Sequence, residues 1–268
     1  MNNTTVDSEN VLLAETKSGI LTLTLNRPER RNAITPEIWI RLAEHLTAAT
    51  GTDTVRAVVL TGSGETFCSG ADIAAAADFD EFPDPAELIA TVNNTLRLLQ
   101  ELPVPTIAKV RGVAAGAGWN LALACDLVVA ASDARFCQIF SRRALSVDTG
   151  GSWLLPRIVG LQQAKRLTLL ADMIDATEAH TLGLVTWISE PDRIDEFTHE
   201  IAARLAHGPS PALARTKDLI NHGLDRTLDQ ALDCESRAQA ANLQGPHVLE
   251  AFAAFTEKRE PRYTRGQS

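Results

Sequence analysis

Two glycine-bearing segments carry residues from which a site for an oxyanion or a phosphate can be built. They are Gly62-Ser63-Gly64-Glu65-Thr66-Phe67-Cys68-Ser69-Gly70-Ala71-Asp72 and Gly112-Val113-Ala114-Ala115-Gly116-Ala117-Gly118-Trp119-Asn120. Each stands between a strand-like run and a helix-like one, and a helix start offers backbone N–H groups to a ligand oxygen. Neither completes G-x-G-x-x-G, since Phe67 and Leu121 take the place of the third glycine, and no G-K-[ST] follows. A serine hydrolase is disfavoured, because there is no G-x-S-x-G elbow and no histidine between His45 and His180. Taken singly, either glycine turn can also be explained by tight packing alone. Arg27, Arg30 and Arg31 form the nearest cationic cluster, which reads either as an anion-binding loop or as a solvated basic one.

The elements that must position these segments alternate between strand and helix, which favours an α/β architecture. Ile20 to Leu25, Ala57 to Thr61, Thr106 to Val110 and Leu127 to Ala131 read as strands. Thr35 and Pro36 supply an N-cap and a first helical residue for a helix with Ile38, Leu42, Leu46 and Ala49 on one face. A second helix carries Leu88, Val92, Leu96 and Leu99 and is ended by Pro103 and Pro105. From about Pro191 the pattern becomes helical only, with starts near Asp192, Pro211, Thr227 and Pro246. This divides the chain at 1–190 and 191–268. Asp78 to Pro85, acidic and proline-bearing, reads as a mobile surface loop.

Composition narrows the function. At 268 residues with 45% hydrophobic content the chain can bury a sizeable core. A net charge of -9 argues against a general nucleic-acid binder, so anionic ligands must be held by local cations. Cys68, Cys125, Cys137 and Cys234 have no C-x-x-C or metal-ligand spacing, which points to reduced thiols and no metal. Met1 to Asn10 lack Lys and Arg and resemble no targeting segment, and apolar runs are too short for a bilayer. A cytoplasmic protein with no membrane partner is expected.

Residues Ile20 to Ala33, with Leu25-Asn26-Arg27-Pro28, resemble the opening strand and CoA-binding loop of the crotonase, or enoyl-CoA hydratase/isomerase, family. The two glycine segments resemble its oxyanion segments, and Phe255-Thr256-Glu257-Lys258-Arg259 its C-terminal signature. The resemblance implies a spiral of ββα turns followed by a helical trimerisation region, assembled as a homotrimer or a dimer of trimers. It implies an acyl-CoA thioester as ligand, with no cofactor beyond the CoA moiety of the substrate. By position, the N–H groups of Ala71 and Ala117 would form the oxyanion hole. Arg27, Arg30, Arg31, Asp72, Phe255 and Lys258 would border the substrate, Lys258 reaching it from a neighbouring subunit.

The resemblance also implies where this chain departs from its relatives. The two glutamates of hydratases are replaced by Asn120 and Phe140, neither of which exchanges protons at neutral pH. Asn120 could orient water or substrate, and Phe140 could pack against the acyl chain or the core. One carboxylate remains in the matching neighbourhood, Asp148. An aspartate there is used by dienoyl-CoA isomerases and dehalogenases of the family, and Gly112 to Gly160 is similar to ring-epoxide phenylacetyl-CoA isomerases of aromatic catabolism. The residues themselves leave Asp148 open as a helix N-cap. Acyl-CoA isomerisation with Asp148 as acid/base is the leading expectation. An atypical hydratase of fatty-acid β-oxidation and a non-catalytic acyl-CoA carrier or sensor are the alternatives.

Overall fold

The computed structural model describes residues 11–72 and 84–263. Its main sheet has the order β1-β2-β3-β4-β6-β9, built from β1 (Leu12–Lys17), β2 (Ile20–Leu25), β3 (Ala57–Gly62), β4 (Thr106–Val110), β6 (Leu127–Ala131) and β9 (Trp187–Ser189). β1 and β2 are antiparallel, and every later pairing is parallel. Ser18 and Gly19, at φ of 52° and 83°, make the two-residue turn that such a twisted hairpin requires. A second sheet of β5 (Val113–Ala115), β7 (Arg135–Cys137) and β8 (Ile174–Asp175) lies in the order β5-β7-β8.

Helices cover both faces of the sheet's centre, so β3 and β6 read as near-continuous apolar runs. Val58 and Leu60 of β3 face a core shared with α1 (Pro36–Thr50), α2 (Pro85–Glu101) and α3 (Ala117–Leu123). Ala57 and Val59 face the opposite way, onto Ile194, Ile201 and Ala202 of α6 (Ile194–Ala206). Ile38, Leu42, Leu46 and Ala49 are all buried, as their spacing predicts, and Thr35 caps their helix through Ile38 N. Complete burial of one such aliphatic side chain stabilises the fold by roughly 1.5–3 kcal/mol. α4 (Gly151–Leu170) is interrupted at Gly160, whose φ of 72° and ψ of 166° are not helical, and α5 (Ala176–Thr181) follows β8.

The sequence division at 190/191 falls between β9 and α6, yet α6 packs on the sheet. The helices that stand apart are α7 (Ser210–Gly223), α8 (Leu228–Leu243) and α9 (Pro246–Glu257). Among them only Ala254 is buried. Of the expected loop Asp78 to Pro85, residues 78–83 lie outside the described residues, while Asp84 and Pro85 cap and open α2. Among the described residues no helix is long and apolar enough to cross a membrane, and no cluster suited to a metal ion occurs.

Candidate active site

The two glycine segments are fastened to each other by main-chain bonds. Phe67 N donates to Arg111 O, Cys68 N to Val113 O, and Ala115 N to Cys68 O, at 2.8, 3.0 and 2.9 Å. A Cβ on Gly70 would lie 3.0 Å from Ala115 O and 3.9 Å from Ala117 N, and Gly70 has a φ of 101°. Glycine is therefore required there by contact and by conformation alike.

The Ala71 and Ala117 N–H groups lie on these adjoining turns. Ile34 N donates to Gly70 O and Asp72 N to Ile34 O, so the parallel bridge at Ile34 engages the groups flanking Ala71 and turns its own N–H the other way. Ala117 is the first residue of α3, whose N-cap Gly116 has no capping side chain. Among the described residues neither N–H has a backbone acceptor. Both are thus available to an oxygen brought by a ligand.

Asp148 precedes α4 in a turn that the structure holds in an uncommon shape. Thr149 has a φ of 48° and Gly150 one of 69°. A β-branched residue in the left-handed region costs on the order of 1–3 kcal/mol and persists only where its surroundings enforce it. The Asp148 carboxylate accepts from Thr149 Oγ1 at 2.8 Å. It does not cap the helix: the N-cap of α4 is Gly150, with no side-chain bond, which removes that alternative. Burial raises the Asp148 pKa above the usual 3.8, and the Thr149 hydroxyl acts in the opposite sense.

Asn120 is fully buried, and both ends of its amide are engaged by the protein. Its Nδ2 donates to the Asp148 carbonyl at 2.8 Å, and its Oδ1 accepts from Gln138 Nε2 at 2.7 Å. That geometry displaces the expectation of a substrate-binding Asn120. Phe140 is buried, its ring 3.7 Å from where a Cβ on Gly116 would stand, so it backs the second turn. Gln138 was not singled out by any sequence signal, since its partner is 18 positions away. Its Oε1 is buried without a hydrogen-bond partner among the described residues.

The cationic cluster divides. Arg27 Nη1 donates to Asp72 Oδ2 at 2.8 Å and to Ala33 O at 2.7 Å, and the two side chains keep only 14% and 9% of their exposure. Arg27 and Asp72 therefore clasp the loop to the first turn instead of facing a ligand, contrary to expectation. Asn32 reinforces the clasp, donating to Ser63 O and Thr66 O. Arg30 and Arg31 remain exposed, and Ser69 N donates to Arg31 O, so these are the cations beside the first turn. Phe255 and Lys258 are exposed on and after α9, and no described hydrogen bond or ion pair links them to either turn.

Comparison with known proteins bears on the family and the fold. The model of the family "Enoyl-CoA hydratase/isomerase" matches residues 15–266. The chain belongs to the enoyl-CoA hydratase/isomerase family. It is 38% identical to the 1,2-epoxyphenylacetyl-CoA isomerase of Escherichia coli, covering 94% of this chain and 98% of that one. It is 41% identical to a Rhodobacter capsulatus protein described as "Probable enoyl-CoA hydratase", over 93% of this chain and 96% of that one. A crystal structure of an enoyl-CoA hydratase from Polaromonas superposes with a TM-score of 0.90 at 39% identity, covering 94% and 99% of the two chains. The fold is thus that of crotonases, and the family acts on acyl-CoA thioesters.

Proposed function

We propose that this member of the family isomerises an acyl-CoA thioester. The N–H groups of Ala71 and Ala117 hold the thioester oxygen, and Asp148 moves a proton between carbons of the acyl group. As a proton leaves the α-carbon, charge gathers on that oxygen, and fixed N–H donors bind the enolate more strongly than the ground-state carbonyl. Each such donor is worth roughly 3 kcal/mol of transition-state stabilisation. Asp148, once protonated, returns the proton at a second carbon, so no water is added.

The observation that carries this reading is a half-buried carboxylate with a raised pKa, bonded through its own main chain to the helix that starts at Ala117. A raised pKa makes the carboxylate a stronger base and its acid form a competent donor. Identity to the E. coli isomerase supports the same direction. Hydration is the second reading, favoured by the Rhodobacter capsulatus relative. Against it stands Asn120, which is fully buried and bonded to the protein at both ends of its amide. The test is deuterium uptake from heavy water into a panel of acyl-CoAs, with crotonyl-CoA hydration measured alongside. Uptake without hydration, abolished in Asp148→Asn while acyl-CoA affinity persists, is the expected result. Hydration by the wild type would establish the second reading, and binding without uptake would make the protein a carrier.

We further infer that the exposed apolar faces of α7 to α9 close against other copies in a trimer or a pair of trimers. Leu224, Leu249, Phe252 and Phe255 are between 61% and 86% exposed in the single chain, which supports such a partner. In that assembly a neighbour would bring Lys258 toward Arg30 and Arg31 and the CoA phosphates.

A further inference from the structure

We propose that Asn120 is a positioning residue: clamped by Gln138, it ties the Asp148 turn to α3 and fixes the carboxylate relative to the Ala117 N–H. This rests on the reading of Asp148 as the acid/base.

The direction of the network follows from one main-chain carbonyl. Asp148 O can only accept, so Asn120 must turn Nδ2 toward it. Oδ1 then faces Gln138, which must answer with Nε2. The bonds from Gln138 Nε2 to Asn120 Oδ1 and from Asn120 Nδ2 to Asp148 O therefore run in one fixed direction, and Gln138 Oε1 is left as the outer end. Both amides are fully buried, so water does not compete for these bonds.

The contact is built into the backbone on both sides. Asp148 O also accepts from Gly151 N at 2.9 Å, which closes the turn containing Thr149 and Gly150. A Cβ at residue 151 would stand 2.4 Å from Asn120 Nδ2, so the turn reaches Asn120 only because that residue is glycine. On the other side, Asn120 lies three residues after Ala117 on the same helix, within about one turn. Oxyanion donor and base are thereby carried by one rigid unit, and loosening it would misplace the carboxylate without touching the ligand. Misplacement of about 1 Å can cost on the order of 100-fold in rate.

The pH profile separates positioning from general loss of structure. Among the described residues no charged group contributes to the Asp148 shift, which burial raises and the Thr149 hydroxyl lowers. A turn released from Asn120 would gain water, and the acid limb of activity would move to lower pH. The experiment compares the full-length wild type, Asn120→Ala, Gln138→Met and Asp148→Asn. It measures deuterium uptake against pH, acyl-CoA affinity by calorimetry, and the Asp148 carboxyl titration by carbon-13 NMR, assigned by its loss in Asp148→Asn.

Asn120→Ala is expected to lose about 10- to 100-fold in uptake, with affinity within about threefold and both titrations shifted down. Gln138→Met leaves Asn120 Oδ1 without its donor and adds no charge near Asp148, so it should give the same pattern, which keeps the test valid if Asn120→Ala does not fold. Unshifted titrations in the folded variants, or wild-type uptake in them, overturn the positioning role. Wild-type uptake in Asp148→Asn overturns instead the reading on which it rests, and the NMR titration distinguishes the two failures.

Discussion

The paired glycine turns and the C-terminal helices are held by different physics. Around the turns, α3 is buried at all seven positions, and main-chain groups bond across from one turn to the other. In α7 and α8 no residue is buried, and polar contacts help to join α7 and the turn after it to the body. Lys217 pairs with Asp126 at 3.0 Å and also donates to Leu99 O and Val104 O. Arg157 joins Asp225 at 2.7 Å while lying 4.0 Å over the Trp153 ring. The site is thus fixed by packing within one chain, whereas the helical end leaves apolar side chains exposed.

The same substitution in both regions gives the sharpest contrast. A Cβ at Gly112 would lie 2.0 Å from Glu65 O, and its φ is 53°. Because that obstacle is backbone, Gly112→Ala should destabilise by about 3 kcal/mol or more, and acyl-CoA binding should fall with it. At Gly223, in the last turn of α7, a Cβ meets nothing within 4 Å. Gly223→Ala should stabilise by about 0.5 kcal/mol through lower unfolded-state entropy. Chemical denaturation measures both, and equal effects would erase the distinction.

Next in size is the assembly. Leu249 and Phe252 are 69% and 61% exposed, so changing both to Ser should alter single-chain stability by no more than about 0.5 kcal/mol. Light scattering should nevertheless show the wild type at a multiple of 28.9 kDa and the double variant shifted toward that mass. A wild type of single-chain mass would leave the helical end an open surface and remove the proposed role for Lys258.

The two regions also differed in how far sequence pattern revealed them. Period and capping located α1 and the buried strands, because those elements owe their form to local spacing and to burial of one face. β1 escaped notice since only Leu12 of its six residues is buried, and β5, β7 and β9 are three residues each, defined by their pairing partners. Family resemblance indicated Asp148, Ala71 and Ala117, but partners stayed hidden where contacts are long-range. Arg27 meets Asp72 across 45 positions and Asn120 meets Asp148 across 28, so neither pairing leaves a local trace. Trp119 is core, its ring centroid 5.3 Å from that of Phe136, whereas Trp153 keeps 38% exposure under Arg157. Burial holds Cys68 and Cys125 up at about 12, which agrees with inert thiols.

Two carboxylates of opposite shift allow the finest test. Asp148, in the packed region, has a folded pKa above its ordinary 3.8, because burial penalises the charge. It favours the fold fully below that ordinary value and progressively less as pH rises through the folded pKa. At neutral pH, Asp148→Asn should therefore leave the melting temperature equal to or above that of the wild type while activity is lost. Glu250, on α9, is shifted the other way, to about 2, by Arg259, with the Arg262 N–H adding a further bond. Its contribution is complete above the usual 4.5 and disappears as pH falls through about 2. Arg259 is exposed and Glu250 only partly covered, so Glu250→Gln should leave the melting temperature almost unchanged and only speed amide exchange around residues 259–262. A marked loss of global stability in that variant would mean that the C-terminal helices are as tightly integrated as the site, and the contrast between the two regions would fail.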